Sequence, residues 1–114
     1  MVLRLPVFAL ATAMATGALA GESRTTPVAM TVAVLDVAKS HCRGTLDVDA
    51  ALEARLIEEF RQYDVGGVQS AISRPLNAFY EEFLETAEID RKGFCREAPS
   101  IASRGGYSGL LVPP

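Results

Sequence analysis

Cys42 and Cys95 are the only cysteines in a chain of 114 residues, and 53 positions separate them. In a small exported domain an even cysteine count favours a disulfide, and two cysteines permit one connectivity. Chain entropy puts the stabilisation from closing so long a loop at about 4 kcal/mol. That is a large share of the ~5–10 kcal/mol a domain of this size has in total. A redox pair reads more naturally as Cys-x-x-Cys, and a zinc site needs four ligands. His41 stands beside Cys42, but neighbours on a helix point about 100° apart and do not make a nucleophile and base by adjacency.

The disulfide reading requires export, and the first twenty residues supply it. Arg4 gives a positive start, Leu5 to Ala15 a short apolar run, and Ala18-Leu19-Ala20 small residues before Gly21. This is the three-part pattern of a secretory signal, with cleavage expected after Ala20. The run is too short and too diluted by Ala, Thr and Gly for the ~20 residues a membrane span needs. No cysteine follows the cleavage position, which argues against a lipid anchor. The expected location is the periplasm or the medium, without a stable membrane anchor.

Arg4 is the one charge in the signal, so residues 21–114 form a 94-residue chain with ten basic and 14 acidic side chains, a charge of −4. That length allows one small domain. An acidic chain without a basic stripe argues against nucleic acid or an anionic membrane as main partner.

The pattern after the lead-in is helical. Residues 28–42, VAMTVAVLDVAKSHC, are β-branched enough for a strand, yet Met30, Val34, Val37 and Ala38 keep helical spacing. Lys39 and His41 sit where cations favour a helix C-terminus, and helix is the preferred reading. A second helix follows a cap at Asp47 or Asp49, with Val48, Leu52, Leu56, Phe60 and Tyr63 as its apolar stripe and Gly66-Gly67 as its end. Its charges, among them Glu53, Glu58, Glu59 and Arg61, read as a solvated face.

VQSAIS adds a short turn, and Ser73 or Arg74 caps a third helix that has Pro75 in its first turn. Leu76, Phe79, Tyr80, Phe83, Leu84 and Ala87 make the widest stripe in the chain and the strongest core expectation. Glu81, Glu82, Glu85 and Glu88 lie opposite, without the Asp, Asn and Gly array of a calcium loop, and read as solvated. Asp90 caps a last stretch carrying Phe94 and Cys95, which Pro99 is expected to interrupt.

Gly105-Gly106 and Gly109 predict a loose end, yet Tyr107, Leu110, Leu111 and Val112 are apolar. Such a tail lies back over the helices or docks onto a partner, which makes these four residues the candidate interaction surface. The fold class is therefore all-α, three to four helices closed by one long-range disulfide, with residues 105–114 as a Gly-rich apolar tail.

No HExxH, GxSxG, CxxC or phosphate-loop pattern occurs, so no catalytic residue, metal or cofactor is expected. Thr31-Val32-Ala33-Val34 through His41-Cys42, two following helices, Cys95, Ile101-Ala102 and Gly109 before Leu110-Leu111 resemble a family of small alphaproteobacterial exported proteins, a domain of unknown function. That resemblance implies export and helicity and transfers no site residue. A looser architectural likeness is to the HdeA-type periplasmic acid-stress chaperones, also small, helical and stapled by one long-range disulfide. Their Trp beside the first cysteine is replaced here by Ser40-His41 before Cys42.

These readings favour a non-enzymatic interaction protein with a protein partner or a second copy of itself. The alternative is an acid-stress chaperone, since protonating 14 carboxylates would turn the chain strongly positive and expose its aromatic stripe. A small hydrolase would have to draw on scattered Ser and Thr with His41 as base, and is the weakest reading.

Overall fold

The structure is a computed structural model that describes residues 24–66 and 70–114. The expected signal, residues 1–20, the following residues 21–23, and residues 67–69, which are Gly67 and the first two of VQSAIS, lie outside the described residues. Four helices and a two-residue strand pair follow in order: α1 (Thr25–His41), β1 (Asp47–Val48), α2 (Ala50–Tyr63), α3 (Ser73–Ile89), α4 (Arg91–Arg104) and β2 (Leu111–Val112). The fold is all-α, as the periodicity predicts.

The centre of the molecule is α1. Val28, Ala29, Thr31, Ala33, Val34, Leu35, Val37 and Ala38 are all buried, nearly around the whole helix. It packs against each of the other three helices. A helix enclosed this way has no continuous polar face, which is why its residues also fit a strand pattern. Thr31 is the polar exception, and its hydroxyl donates to the Pro27 carbonyl at 2.7 Å.

The α2 helix begins two residues after the first position of its apolar stripe. Asp49 is the cap, its carboxylate accepting from the Leu52 N–H at 2.9 Å. Val48, assigned to the stripe by spacing, pairs instead with Leu111 in the β1–β2 ladder. The helix ends at Tyr63, before the glycines.

The α3 stripe faces the core but is not all buried in it. Phe83 and Ala87 are buried, but Leu76, Phe79 and Leu84 are only partly covered, and Tyr80 is 37% exposed. The helix lies on α1 and reaches α4 through Phe83 and Phe94, whose ring centroids are 6.1 Å apart. The strongest stripe is thus the bundle's flank, and the weakest helix signal is its centre. Ser73 and Arg74 lie inside α3, with Ile72 ahead of them and no side-chain cap. Ile72 is fully buried and anchors the turn into the helix by packing.

Asp90 caps α4 as expected, accepting from Gly93 N–H at 3.0 Å. Pro99 does not interrupt the helix, which runs on to Arg104. The proline removes one backbone donor, and burial of Ala98, Ile101 and Ala102 around it holds the next turn in place.

Gly105-Gly106 also departs from expectation. Gly106 N–H bonds the Ser103 carbonyl at 3.0 Å and Tyr107 N–H bonds the Ala102 carbonyl at 2.9 Å, with Gly106 at φ +94. This pair of bonds is the Schellman arrangement that closes a helix C-terminus. The tail then turns back over the bundle: Tyr107, Leu110 and Leu111 are at most 5% exposed. The Asp49 N–H bonds the Leu110 carbonyl, and β2 runs antiparallel to β1. Of the four residues read as an interaction surface, only Val112 remains on the outside, because the other three complete the core.

Cys42, at the end of α1, is bonded to Cys95 in α4, and both are buried. Among the described residues no helix is long and apolar enough to cross a membrane.

Candidate functional site

The densest polar cluster joins three parts of the chain. Arg24, just before α1, donates from Nε to Glu59 Oε2 at 2.9 Å and from Nη2 to Glu59 Oε1 at 2.8 Å. Its Nη1 donates to the Gly105 carbonyl at 3.1 Å, at the end of α4. Tyr107 completes the cluster, its hydroxyl donating to Glu59 Oε1 at 2.7 Å. Arg24, Glu59 and Tyr107, with Arg55, Glu58, Gln62 and Gly106, line an open cleft of about 500 Å³.

The electrostatics decide what this cluster can do. The hydrogen bond from Arg24 holds the Glu59 carboxyl below the usual range, against partial burial that pushes it up, and the Tyr107 hydrogen bond helps. Burial first, and then Glu59, push the Tyr107 phenol up to about 12. The Glu59 bond likewise raises Arg24. A carboxylate already accepting a two-pronged guanidinium and a phenol is a weak base, and so protonated a phenol is a weak nucleophile near neutrality. The cluster is a clasp: it ties the start of α1 to the middle of α2 and the end of α4. Glu59 therefore leaves the solvated face to which spacing assigned it.

The remaining polar residues do not converge. Ser40 Oγ lies 2.9 Å from His41 Nδ1, which is also 3.3 Å from the Val37 carbonyl. Both ring-facing contacts fall on one nitrogen at the exposed end of α1, without the carboxylate that would orient a catalytic base. Glu81, Glu82, Glu85 and Glu88 are exposed along α3. Among the described residues no group of His, Cys, Asp and Glu is placed to hold a metal ion.

A second hollow is apolar. Val32, Ala33, Leu76 and Tyr80 wall a groove of about 250 Å³ between α1 and α3, with Asn77 and the Asp36 carboxylate at its edge. Leu76 and Tyr80 belong to the α3 stripe; their partial exposure is what leaves this groove open.

No family model, no curated protein and no solved structure matches the chain.

Proposed function

We propose that this is an exported, non-enzymatic interaction protein of the periplasm or medium, whose α1–α3 groove takes an apolar side chain of a protein partner. The observation that carries the reading is the groove itself: apolar walls from two helices, held by a stapled core, beside one carboxylate. Asp36 at the edge favours a basic residue next to the inserted side chain. Burial of Tyr107, Leu110 and Leu111 argues against the tail as the docking element and supports this flank instead.

A photo-crosslinking residue at position 80, in cells, tests it. The expected result is an adduct at 80 that is missing at 82, on the exposed acidic side of α3, and that weakens in Asp36→Lys. An adduct of twice the chain mass would identify the partner as a second copy. Equal adducts at both positions, or none, would overturn the groove.

The Arg24–Glu59–Tyr107 clasp supports a second reading, the acid-stress chaperone that the HdeA-type likeness implies. Protonating Glu59 removes the acceptor that holds both Arg24 and Tyr107, which loosens the tail over the core. The measurement is client aggregation at about pH 3 with intact and Cys42→Ala/Cys95→Ala protein. No protection at equimolar protein rejects this reading.

A further inference from the structure

Three cations stand together in the first six residues of α4. Arg91, Lys92 and Arg96, with Thr45 and Cys95, line a cavity of about 330 Å³ beside the disulfide. It shares no lining residue with the α1–α3 groove.

The arrangement runs against the local rules for helix stability. Arg91 and Lys92 occupy the first turn, where the helix dipole disfavours positive charge. Lys92 and Arg96 are four apart, so like charges face each other on one side of the helix. Among the described residues no ion pair offsets this. The ion pairs among the described residues are Arg24–Glu59, Lys39–Glu53 and Arg61–Glu58, and none includes these three cations. The nearest acids in sequence do not line the cavity: Asp90 caps Gly93, and Asp90 and Glu97 line an adjoining hollow that shares Arg96 with it. A chain of net negative charge has gathered three of its cations around one concavity whose lining includes no carboxylate.

The walls are also unusually well fixed for a surface cavity. Cys95 binds α4 covalently to Cys42. The turn that carries Thr45 is pinned to the same point, because Thr45 and Leu46 N–H groups both bond the Cys42 carbonyl at 3.0 Å. The backbone beneath the charged side chains is therefore set in position before any ligand arrives.

Two guanidinium forks, one ammonium and a hydroxyl match an anion with several oxygens and more than one charge. We propose that this cavity is a binding site for a small phosphate-class oxyanion, held by Arg91, Lys92 and Arg96 with Thr45 at its side. The ligand neutralises the repulsion that the free cations impose on α4. It comes either as a free anion or as the exposed headgroup of a lipid; the site reads the phosphate oxygens in both cases. This inference does not depend on the α1–α3 groove, and each can fail without the other.

The test uses the oxidised, exported protein, with inorganic pyrophosphate as probe and ionic strength held constant with sodium chloride. Amide spectra should show saturable shifts at Thr45, Gly93 and Cys95, with half-saturation below about 1 mM. In R91Q/K92Q/R96Q the half-saturating concentration should rise at least tenfold, while in the control R74Q/R104Q it should not change. The triple variant breaks no ion pair and removes like charges from the start of α4, so it should melt no lower than wild type, and its lost binding then reports the site rather than the fold. Pelleting with phosphatidic acid vesicles that pyrophosphate competes away assigns the phosphate to a headgroup; pyrophosphate shifts without pelleting assign it to a free anion. Shifts that stay linear, equal affinity in the triple variant, or pelleting without pyrophosphate shifts would each overturn the proposal.

Discussion

Gly105 and Gly106 are adjacent and are required for different reasons. A Cβ on Gly105 would lie 1.9 Å from Thr31 Oγ1 and 3.1 Å from the Pro27 carbonyl, where the end of α4 crosses α1. Thr31 is fully buried and already hydrogen-bonded to that carbonyl, so it has nowhere to turn. Gly105→Ala should therefore lose about 3 kcal/mol in urea unfolding, the upper range for overpacking. Thr31→Ala in the same chain removes the nearest clashing atom and should recover part of that loss. Simple additivity of the two substitutions would show that this contact is not the cause. Gly106 meets only the Arg24 guanidinium, at 3.2 Å, and its main demand is the left-handed backbone at φ +94. Gly106→Ala should cost only about 1 kcal/mol.

Among the elements, helices with one open face were more legible than the enclosed one. The spacing of Leu52, Leu56 and Phe60, and of Leu76, Phe79 and Phe83, reports α2 and α3 because water lies on their other sides. Thr25–His41 is covered by three helices, so its period is blurred by β-branched residues on every side, and helix rested on the spacing of Met30, Val34, Val37 and Ala38 and on Lys39 and His41 at its end. Glycine in the tail read as looseness because the sequence shows φ freedom but not the Ser103 and Ala102 carbonyls waiting for partners. The clasp was hidden for another reason: Glu59 meets Arg24 35 positions away and Tyr107 48 positions away. Its place between Leu56 and Phe60, at the margin of the buried stripe, was the one local sign. One consequence concerns the tail as an element. Removing residues 105–114 takes out Tyr107, Leu110 and Leu111, whose burial is worth on the order of 5 kcal/mol together. That approaches the whole stability of such a domain. The truncated protein should lose its cooperative thermal transition by circular dichroism, so any partner lost with the tail would report unfolding. A cooperative melt within a few degrees of wild type would show that β2 and its flanking residues carry little of the core.

At the scale of the whole molecule, two ties hold distant segments together, and they respond to different conditions. The Cys42–Cys95 bond is insensitive to pH and should account for up to about 4 kcal/mol, lost in Cys42→Ala/Cys95→Ala. The clasp is the tie that pH can release, and it opens from both ends of the scale. Glu59 is held below the usual carboxyl range chiefly by Arg24. Its contribution is complete above the unfolded value near 4.3 and is lost as pH falls through the lower folded value. The stability gap between wild type and Glu59→Gln should therefore be widest above about pH 5 and close as acid is added. Tyr107 acts in the opposite sense. Its phenol ionises near 10 when unfolded but only at about 12 when folded, so the unfolded chain gives up its proton first. Stability should fall as pH rises from about 10 to about 12, and Tyr107→Phe should lack that decline. Urea midpoints across pH for the three proteins separate the two windows. An acid limb unchanged by Glu59→Gln would place acid sensitivity in the exposed carboxylates of α3, and the clasp would then be excluded as the trigger for an acid-opened state.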